Sequence, residues 1–333
     1  MIYLKTPRGL PVAVPELVQE DPSPKFCSVN LKEINNYYEG NGYVIIKEII
    51  SHEDCDHIRQ LWEQEVKNYN GYIYRQTTAK AEQHIINDNG WIMNPILNLQ
   101  SIDPTYFPNF RMFATNNILS NLKLNKVFSS LLGDSPKIVQ SMYFEGNSAT
   151  WEHQDSYYLD SETIGEMSAA WIALEDISAT AGRFFICPKS HKLSLDEHSL
   201  NNNIAENHEG YISSVVQKIK DENLTIRAPI LNKGDVLFWN SLTIHGSLDS
   251  SDSKNSRSSI TCHAIPNNKR FLQLQTRQFN LVTEKINGTY IFKPKDLSRL
   301  KNKLIFRLET TFPKLFYWLK KKAIIFVLKH KKY

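Results

Sequence analysis

The sequence predicts a mainly β protein with flanking helices, whose core is a double-stranded β-helix (jelly roll) with a helical layer on one side. Helical patterns of apolar residues come first, and from residue 137 to about residue 280 apolar and polar residues alternate with a period of two. Turns rich in Gly, Pro, Ser and Asn separate these segments. Many short strands preceded by helices are typical of two packed sheets with helices on one face.

The chain begins with an arm and two predicted helices. Residues 1–29 contain five prolines and predict an irregular arm. Ser51 is expected to begin a helix with an apolar stripe at every third or fourth residue. A second helix is expected to begin at Asn116 or Asn117 and to end before Gly133.

The predicted strands follow, and a long polar stretch interrupts them. The clearest strands are expected at 137–144, 167–174, 183–187, 235–239, 260–265 and 271–279. The stretch 193–227 is rich in Asn, Glu and Ser and contains a helical pattern at 212–219. Two interpretations stay open for 193–227, a lid that shapes the substrate site and a plain solvated excursion.

Composition and length favour a single main domain with additions at both ends. Of the 333 residues, 41% are apolar and 22% are charged, which is ordinary for a globular protein. We expect an arm at 1–29, a main domain at 30–290 and a basic, aromatic, helical extension at 291–333.

The end of the chain has a distinct character. Residues 314–333 contain seven lysines and no acidic residue, interleaved with aromatic and aliphatic side chains. This mixture predicts peripheral contact with an anionic membrane through 311–333. The alternative is a helix that docks on the main domain and leaves its lysines in solvent, and both interpretations stay open.

Charge and cysteine usage limit the partners and the location. The net charge of +4 is mild and no dense basic run precedes the C-terminus, so nucleic acid is not an expected partner. Four widely spaced cysteines fit a reducing cytosol. Neither a signal-like N-terminus nor an apolar run of spanning length is evident. We therefore expect a cytoplasmic protein, with the inner face of a membrane as a peripheral location.

A candidate metal site lies in the stretch 150–159. If residues 150–155 are extended, His153 and Asp155 project from the same face, about 6 to 7 Å apart. His245 follows a Gly-Asp turn and an apolar strand, and is the expected third ligand. Two histidines and one carboxylate leave three positions of an octahedral ion open, as in non-haem Fe(II) oxygenases. A second His-x-Asp sequence at 52–54 follows Ser51 at a helix start and is not assigned to metal.

A candidate anion site follows the third ligand. Arg257 comes twelve residues after His245, and Ser259 is expected to project from the same strand face. A guanidinium offers two parallel donors to a carboxylate, so this pair is expected to hold the distal carboxylate of 2-oxoglutarate. The alternative is a surface arginine on a polar hairpin.

Four separated motifs occur together in one order. They are His153-Gln154-Asp155, residues 181–192, residues 233–257 and the helix-and-strand pattern at 35–47. Together they resemble the phytanoyl-CoA dioxygenase family of Fe(II)/2-oxoglutarate oxygenases, and the resemblance runs from about residue 30 to residue 266. Lys189 departs from this pattern, since the family usually has glycine in its Pro-Gly-Ser-His turn.

The resemblance implies cofactors and roles. Fe(II) is expected on His153, Asp155 and His245, and 2-oxoglutarate on Arg257 with help from Ser247. Trp171 matches a tryptophan near the cosubstrate, although a plain core tryptophan is an equal alternative.

The same resemblance implies a non-haem Fe(II)/2-oxoglutarate-dependent dioxygenase. We expect it to use dioxygen to hydroxylate an unactivated carbon of a small molecule or of a lipid- or sugar-linked biosynthetic intermediate, releasing succinate and CO2. Asp155 favours hydroxylation over halogenation, because halogenating relatives have a small residue there. Desaturation, cyclisation, the substrate and the oligomeric state stay open.

Two other function classes also stay open. One is a cupin-type metal enzyme that does not use 2-oxoglutarate and does not need Arg257. The other is a non-catalytic, ligand-binding jelly roll.

Overall fold

The computed structural model describes residues 1–146, 148–193 and 207–330, the last eight by their backbone only. The strands are β1 Ile2–Lys5, β2 Pro11–Val14, β3 Lys25–Phe26, β4 Tyr43–Ile46, β5 Ile73–Tyr74, β6 Ala81–Glu82, β7 Ile96–Leu97, β8 Pro136–Phe144, β9 Thr150–His153, β10 Leu159–Ser161, β11 Ser168–Ala173, β12 Phe184–Ile186, β13 Val236–Asn240, β14 His245–Ser247, β15 Ser259–Pro266, β16 Phe271–Gln273, β17 Arg277–Phe279, β18 Thr283–Ile286 and β19 Thr289–Phe292. The helices are α1 Leu31–Asn41, α2 His52–Leu61, α3 Pro108–Phe113, α4 Leu122–Leu132, α5 His208–Asp221, α6 Leu300–Thr311 and α7 Pro313–His330. Two π-helical segments, Trp62–Val66 and Ala114–Leu119, continue α2 and α3.

Nine of the nineteen strands in the described residues belong to one large sheet, which we call the major sheet. Its strand order is β18-β19-β8-β15-β11-β13-β4-β3, and β7 pairs with β8 off this path. The pairs are antiparallel apart from β19 with β8 and β3 with β4. A smaller sheet of β12, β14 and β9, the minor sheet, carries two of the three candidate metal ligands, His153 and His245.

The two faces of the major sheet are covered differently. In β11, Ala170 and Ile172 belong to the core beneath the helices, whereas Ala169 and Trp171 belong to the core beneath the minor sheet. This alternation is the period of two that the sequence predicts. The ring of Phe184 in the minor sheet lies 6.3 Å from that of Trp171.

The helices α1, α2 and α4 cover the other face. Their buried side chains share one core with apolar residues of β4, β8, β11, β13 and β15. For example, Phe128 of α4 meets Phe238 of β13 edge to face, with ring centroids 5.1 Å apart. The predicted jelly roll with a helical layer on one side is therefore confirmed.

The prediction of an irregular arm at residues 1–29 is wrong. Strands β1 and β2 form an antiparallel hairpin, and β3 joins the edge of the major sheet beside β4. The prolines are compatible with this structure because Pro11 lies at the first position of an edge strand and Pro7 lies in the turn.

The second predicted helix begins later than expected. Asn121 caps α4, since its side chain accepts hydrogen bonds from the backbone N–H groups of Lys123 and Leu124. Asn116 and Asn117 lie within the π-helical segment that ends the preceding helix. The predicted end is confirmed, because Gly133 adopts φ +69° there.

Two boundaries in the last part of the chain also differ from the prediction. The segment 271–279 is a hairpin of β16 and β17 and not one strand, because Leu274 and Gln275 adopt positive φ between them. The expected extension at 291–333 begins inside β19, which pairs in parallel with β8. The helical part begins at Leu300, where α6 starts.

The interrupting stretch 193–227 is described in part. Residues 194–206 lie outside the described residues. The helical pattern at 212–219 corresponds to α5, whose buried Tyr211 stacks on Tyr157 with ring centroids 3.5 Å apart. The lid itself stays a prediction.

Helix length and hydropathy determine whether a helix can cross a bilayer. Among the residues described, no helix is both long enough and apolar enough to span a membrane.

The turn around Lys189 packs against the end of α1. Lys189 has φ +68°, so the turn keeps the left-handed residue for which glycine is usual. His191 follows in this turn, and its Nε2 lies 3.0 Å from the carbonyl oxygen of Glu39. Gly42 ends α1 with φ +79°, and a Cβ there would overlap the His191 ring and the Thr243 hydroxyl.

We expect Gly42→Ala to lower the free energy of unfolding by about 2–3 kcal/mol, from left-handed strain and overpacking together. Gly40 lies in α1 with open space around its Cα, so Gly40→Ala is the matched control. The control should be neutral or stabilising by up to about 1 kcal/mol. Urea unfolding measures both, and equal losses would contradict the role assigned to Gly42.

Candidate metal centre

The first two candidate ligands lie where a strand gives way to a turn. β9 ends at His153, and Asp155 begins a short 3₁₀ turn, so the stretch 150–155 is not one continuous strand as expected. Gln154 between them is still extended, with φ −110° and ψ 136°. The two side chains therefore stay on one side, and His153 Nε2 lies 3.6 Å from Asp155 Oδ1.

The third candidate ligand lies directly across the minor sheet. His245 of β14 pairs with His153 of β9, and their ring centroids are 4.3 Å apart. His245 Nε2 also lies 3.6 Å from Asp155 Oδ1. One possible ligand atom from each of the three residues lies within 4.8 Å of the others. The structure thus brings together the three residues that the sequence selected.

A glycine allows β9 and β14 to approach at this point. A Cβ on Gly246 would lie 2.5 Å from the carbonyl oxygen of Thr150 and 2.8 Å from that of Trp151. Such contacts are too short for a real side chain, so the His-Gly-Ser sequence of β14 is needed for the pairing.

The backbone fixes both histidine rings. His153 Nδ1 lies 2.8 Å from the carbonyl oxygen of Trp151, and His245 Nδ1 lies 2.9 Å from that of Thr243. An Nδ1–H that donates to each carbonyl leaves the Nε2 lone pair available to a metal.

The protonation states also suit a divalent metal. Burial lowers the pKa of His245 to about 3, which keeps the ring neutral. Burial opposes ionisation of Asp155, but the adjacent His245 and His263, with hydrogen bonds from the surrounding rings, hold its pKa well below the usual range. Neutral imidazoles and an ionised carboxylate are the forms that bind a metal ion.

Two residues that hold Asp155 were not selected from the sequence. Trp239 Nε1–H donates to Asp155 Oδ2 over 2.8 Å, and His263 Nε2 lies 3.3 Å from the same oxygen. Both pair with Ala169 from opposite sides, in β13 and β15. Strand alternation could have placed His263 on the inner face, but its proximity to Asp155 depends on the strand order. Oδ2 is thereby anchored, and Oδ1 faces the two histidines.

The candidate ligands line a cavity of about 560 Å³. Three further predicted residues, Arg257, Ser247 and Trp171, line the same cavity. Ser247 accepts a hydrogen bond from the backbone N–H of Thr150 over 2.9 Å.

Ser259 does not take the predicted place. Its hydroxyl donates to the carbonyl oxygen of Arg257 over 3.1 Å, and it is not among the residues that line the cavity. The expected i, i+2 alternation fails because Arg257 precedes β15 and does not lie in the strand. Ser259 therefore contacts the arginine backbone and not the anion site.

Arg257 is a buried cation without a carboxylate partner among the described residues. It is 2% exposed, its Nη1–H donates to the Gly182 carbonyl oxygen, and its Nε has no partner. The guanidinium carbon lies 5.3 Å from the Phe144 ring and 5.9 Å from the Trp171 ring. Burial lowers the pKa of Arg257 to about 9. A buried cation is costly unless an anion joins it, so the residues fit a carboxylate ligand in this cavity.

The chain is similar to known proteins in both sequence and structure. Residues 38–258 match the family model described as phytanoyl-CoA dioxygenase (PhyH). The chain is 23% identical over 267 residues to "Phytanoyl-CoA dioxygenase, peroxisomal" of Bos taurus, covering 77% of this chain and 74% of that protein.

Two solved structures show the same fold. The α-ketoglutarate-dependent carbocyclase SnoK from nogalamycin biosynthesis has a TM-score of 0.53 at 16% identity, covering 75% of this chain and 89% of that chain. EctD from S. alaskensis, with 2-oxoglutarate and 5-hydroxyectoine, has a TM-score of 0.52 at 16% identity, covering 88% and 99%.

We expect Trp239→Phe to weaken binding of a divalent metal about 10- to 100-fold, because it removes the hydrogen bond that anchors Asp155. Competitive titration with Co(II) measures the affinity. Trp171→Phe is the control, since Trp171 lines the cavity beside Arg257 and should leave metal affinity unchanged. An equal loss in both variants would contradict the anchoring role of Trp239.

Proposed function

The chain belongs to the phytanoyl-CoA dioxygenase family of non-haem Fe(II)- and 2-oxoglutarate-dependent dioxygenases, and we propose that it hydroxylates an unactivated carbon of its substrate. One observation carries this proposal: a buried arginine without a carboxylate partner shares a cavity with the cluster of His153, Asp155 and His245. A metal cluster alone would fit many enzymes. A cation positioned to receive a dicarboxylate beside that cluster fits 2-oxoglutarate.

The three clustered residues would hold the iron. His153 and His245 would bind through Nε2 and Asp155 through Oδ1, while Oδ2 keeps its bonds to Trp239 and His263. When bound, Fe(II) with 2-oxoglutarate and dioxygen supplies the oxidant that removes hydrogen from an unactivated carbon, and succinate and CO2 are released.

The other cavity residues would orient the cosubstrate. Arg257 would bind the distal carboxylate of 2-oxoglutarate through parallel N–H donors, which satisfies a charge that is otherwise unpaired. Ser247 of β14 would also contact that carboxylate. The ring of Trp171, in β11, would limit the movement of the carboxylate. Water would be excluded from the carboxylate by Phe144 and Trp171, since both rings lie over the guanidinium.

Asp155 supports hydroxylation over halogenation. Its carboxylate occupies the position where a halide would need an open coordination site. The anchoring of Oδ2 by Trp239 resists displacement of this carboxylate. Desaturation and cyclisation begin with the same hydrogen removal and depend on the substrate.

The substrate would approach beneath α5. Tyr158 and His208 both line the cavity, and the Tyr158 hydroxyl lies 2.7 Å from His208 Nε2. Tyr211 of α5 accepts a hydrogen bond from the backbone N–H of Gln154, which lies between His153 and Asp155. We propose that the stretch 193–227 acts as the wall or lid of the substrate site, and that a small molecule or a lipid- or sugar-linked intermediate binds there.

The cupin-type alternative and the binding-only alternative are less well supported. A metal enzyme that does not use 2-oxoglutarate has no need for a buried arginine at 2% exposure. A pure binding protein has no need for two imidazoles whose Nε2 atoms face one carboxylate oxygen.

Anaerobic titration of the Fe(II)-loaded protein with 2-oxoglutarate tests the proposal. We expect a weak visible charge-transfer band, absent in His153→Ala. Arg257→Met should cost about 2–4 kcal/mol of 2-oxoglutarate binding, an increase in Kd of about 30- to 1,000-fold, because a buried carboxylate loses its ionic partner.

Ser259→Ala is the matched control for the arginine, because its hydroxyl bonds the Arg257 carbonyl and lies outside the cavity. Its 2-oxoglutarate affinity should stay near that of the wild type. If the folded, iron-loaded wild type shows no charge-transfer band, the result contradicts the use of 2-oxoglutarate. The cupin-type and binding-only functions would then be favoured.

The C-terminal helices present an exposed apolar ridge, which supports peripheral membrane contact. Leu300, Leu304 and Leu308 follow one another at i, i+4 spacing on α6 and are each more than half exposed. The ridge continues through the exposed side chains Phe312, Leu315, Trp318 and Leu319. Isolated exposed leucines are ordinary, but seven large apolar side chains that are each more than half exposed within residues 300–319 are not.

The charge around the ridge suits an anionic surface. Eight basic residues and one acidic residue lie in 299–322. The acidic residue, Glu309, is buried and accepts hydrogen bonds from the Tyr74 and Tyr317 hydroxyls and the Ala81 N–H. These contacts dock α6 on the domain by one face and leave its apolar face outward.

We propose that an oxygenase domain spanning α1 to β19 works at the cytosolic face of an anionic membrane, with α6 and α7 as the contact. The wild type should co-sediment with vesicles of equal parts phosphatidylcholine and phosphatidylglycerol, more weakly with phosphatidylcholine alone. Leu304→Glu/Leu308→Glu should lower partition at least about tenfold, through lost burial and added negative charge.

The matched control is Val18→Glu/Val29→Glu, which makes the same charge change at two exposed valines far from the ridge in sequence. It should bind vesicles almost as well as the wild type. If no vesicle binding occurs and Leu304→Glu/Leu308→Glu dissociates a dimer, the ridge is a subunit interface and the membrane proposal fails.

A further inference from the structure

A second and larger cavity lies beside the candidate metal centre. Its volume is about 900 Å³, within the range of sites that bind small molecules. One wall comes from residues 69–107 and the other from residues 271–306, which include β16, β17, β19 and the start of α6. The second wall lies beyond residue 258, where the match to the family model ends. This cavity is therefore built largely by a part of the chain that the family match does not include.

The two cavities share part of their lining. Gln140 of β8 and Leu159 of β10 line both of them. The pairing of β8 with β15 shifts register between His263 and Ala264, so that Val139 is an extra residue in β8. This bulge lets the consecutive residues Val139 and Gln140 both line the second cavity. A molecule in the second cavity thus lies one side chain away from the space beside the metal ligands.

Most of the lining is apolar or aromatic. It includes the buried side chains of Ile73, Ile102, Phe107, Val139, Ile291 and Leu297. The tyrosines Tyr69, Tyr72, Tyr74 and Tyr106 lie in the same wall. Such a lining favours a ligand whose body is apolar.

Two polar atoms in this lining lack partners. The Ser101 hydroxyl and the Asn98 side-chain oxygen are buried and make no hydrogen bond. Ser101 is 5% exposed, and Asn98 is held in the left-handed region with φ +58°. Unpaired buried polar groups are unfavourable, and a ligand that hydrogen-bonds to them would remove this cost.

Among the described residues, two basic side chains of the lining are left without an ion pair. Each lining carboxylate has a basic partner: Asp103 pairs with Lys303, Glu284 with Lys293 and Asp296 with Arg111. Lys295 and Arg299 also line the cavity, and neither forms an ion pair within the described part of the chain. The Lys295 ammonium lies 3.9 Å from the centre of the Tyr74 ring. The side of the cavity near α6 therefore suits an anion.

We propose that the second cavity binds an anionic amphiphile, with its negative group at Lys295 and Arg299 and its apolar chain directed past Gln140 and Leu159 toward the metal centre. This inference rests on the proposed function, since it identifies the cavity as the site of the substrate's remote part. Free carboxylates and phosphate-bearing lipids share the required chemistry of one anionic group on an apolar chain.

Calorimetric titration with dodecyl phosphate below its micelle concentration tests the site on the metal-free protein with all 333 residues. We expect saturable binding, at least tenfold tighter than that of dodecyltrimethylammonium, which has the same chain and the opposite charge. Lys295→Glu/Arg299→Glu should weaken binding of the phosphate at least tenfold. Ser101→Leu, which fills part of the cavity without breaking a side-chain hydrogen bond, should do the same.

Two control variants separate the cavity from other sites. Lys32→Glu/Lys47→Glu makes the same charge change at exposed lysines outside the cavity lining and should leave dodecyl phosphate binding unchanged. Leu304→Glu/Leu308→Glu, on the ridge, should also leave it unchanged. The proposal is overturned if both amphiphiles bind equally well. It is also overturned if either control variant loses binding while the cavity variants keep it.

The direction of the chain is tested with Mn(II) as a paramagnetic probe of the metal centre. In the Mn(II)-loaded protein, the relaxation enhancements of bound dodecyl phosphate, each corrected for the gyromagnetic ratio of its nucleus, should place the methyl protons nearer to the metal than the phosphorus. His153→Ala should abolish both enhancements. A shorter distance to the phosphorus would reverse the assigned direction. If Mn(II) does not bind while dodecyl phosphate does, the proposed function fails and the amphiphile site stands.

Discussion

The site depends on the antiparallel pairing of β9 with β14. This pairing places His153 opposite His245 and requires the close backbone approach that Gly246 allows. The 3₁₀ turn that follows β9 then directs Asp155 toward both rings. The minor sheet and the turn that follows β9 supply these residues, while the major sheet supplies Trp239 and His263, which hold the far carboxylate oxygen. The two sheets are therefore both needed for one coordination geometry.

The same enclosure leaves one buried charge without a partner. The Asp155 carboxylate is held by Trp239 and His263, whereas the Arg257 guanidinium has no carboxylate near it in the described chain. The buried Arg257 cation lowers the stability of the ligand-free protein, and a carboxylate ligand would neutralise it. Binding and folding are thus linked through burial of the same residues.

Local patterns predicted much of this arrangement, and the remainder depends on sheet order. The alternation in β8, β11, β13 and β15, the histidines, Asp155 and Arg257 could all be found from sequence spacing. His263 could not be connected to Asp155, because their contact follows from which strands are neighbours. Ser259 was misplaced because the arginine precedes its strand. The arm and the extension were misjudged because β3 and β19 are short strands that gain their stability from pairing with long ones.

Because β19 pairs in parallel with β8, the C-terminal segment closes an edge of the major sheet. Closing this edge helps to keep the protein soluble. Along one side of β8, β7 covers Met142 and Tyr143, and β19 covers Lys137 and Ile138. A chain shortened before β18 would leave half of this side as an open edge, with unpaired backbone donors and acceptors. Open edges of this kind promote strand-to-strand aggregation. A truncation that removes the helices is therefore best made after Phe292, where the edge stays closed.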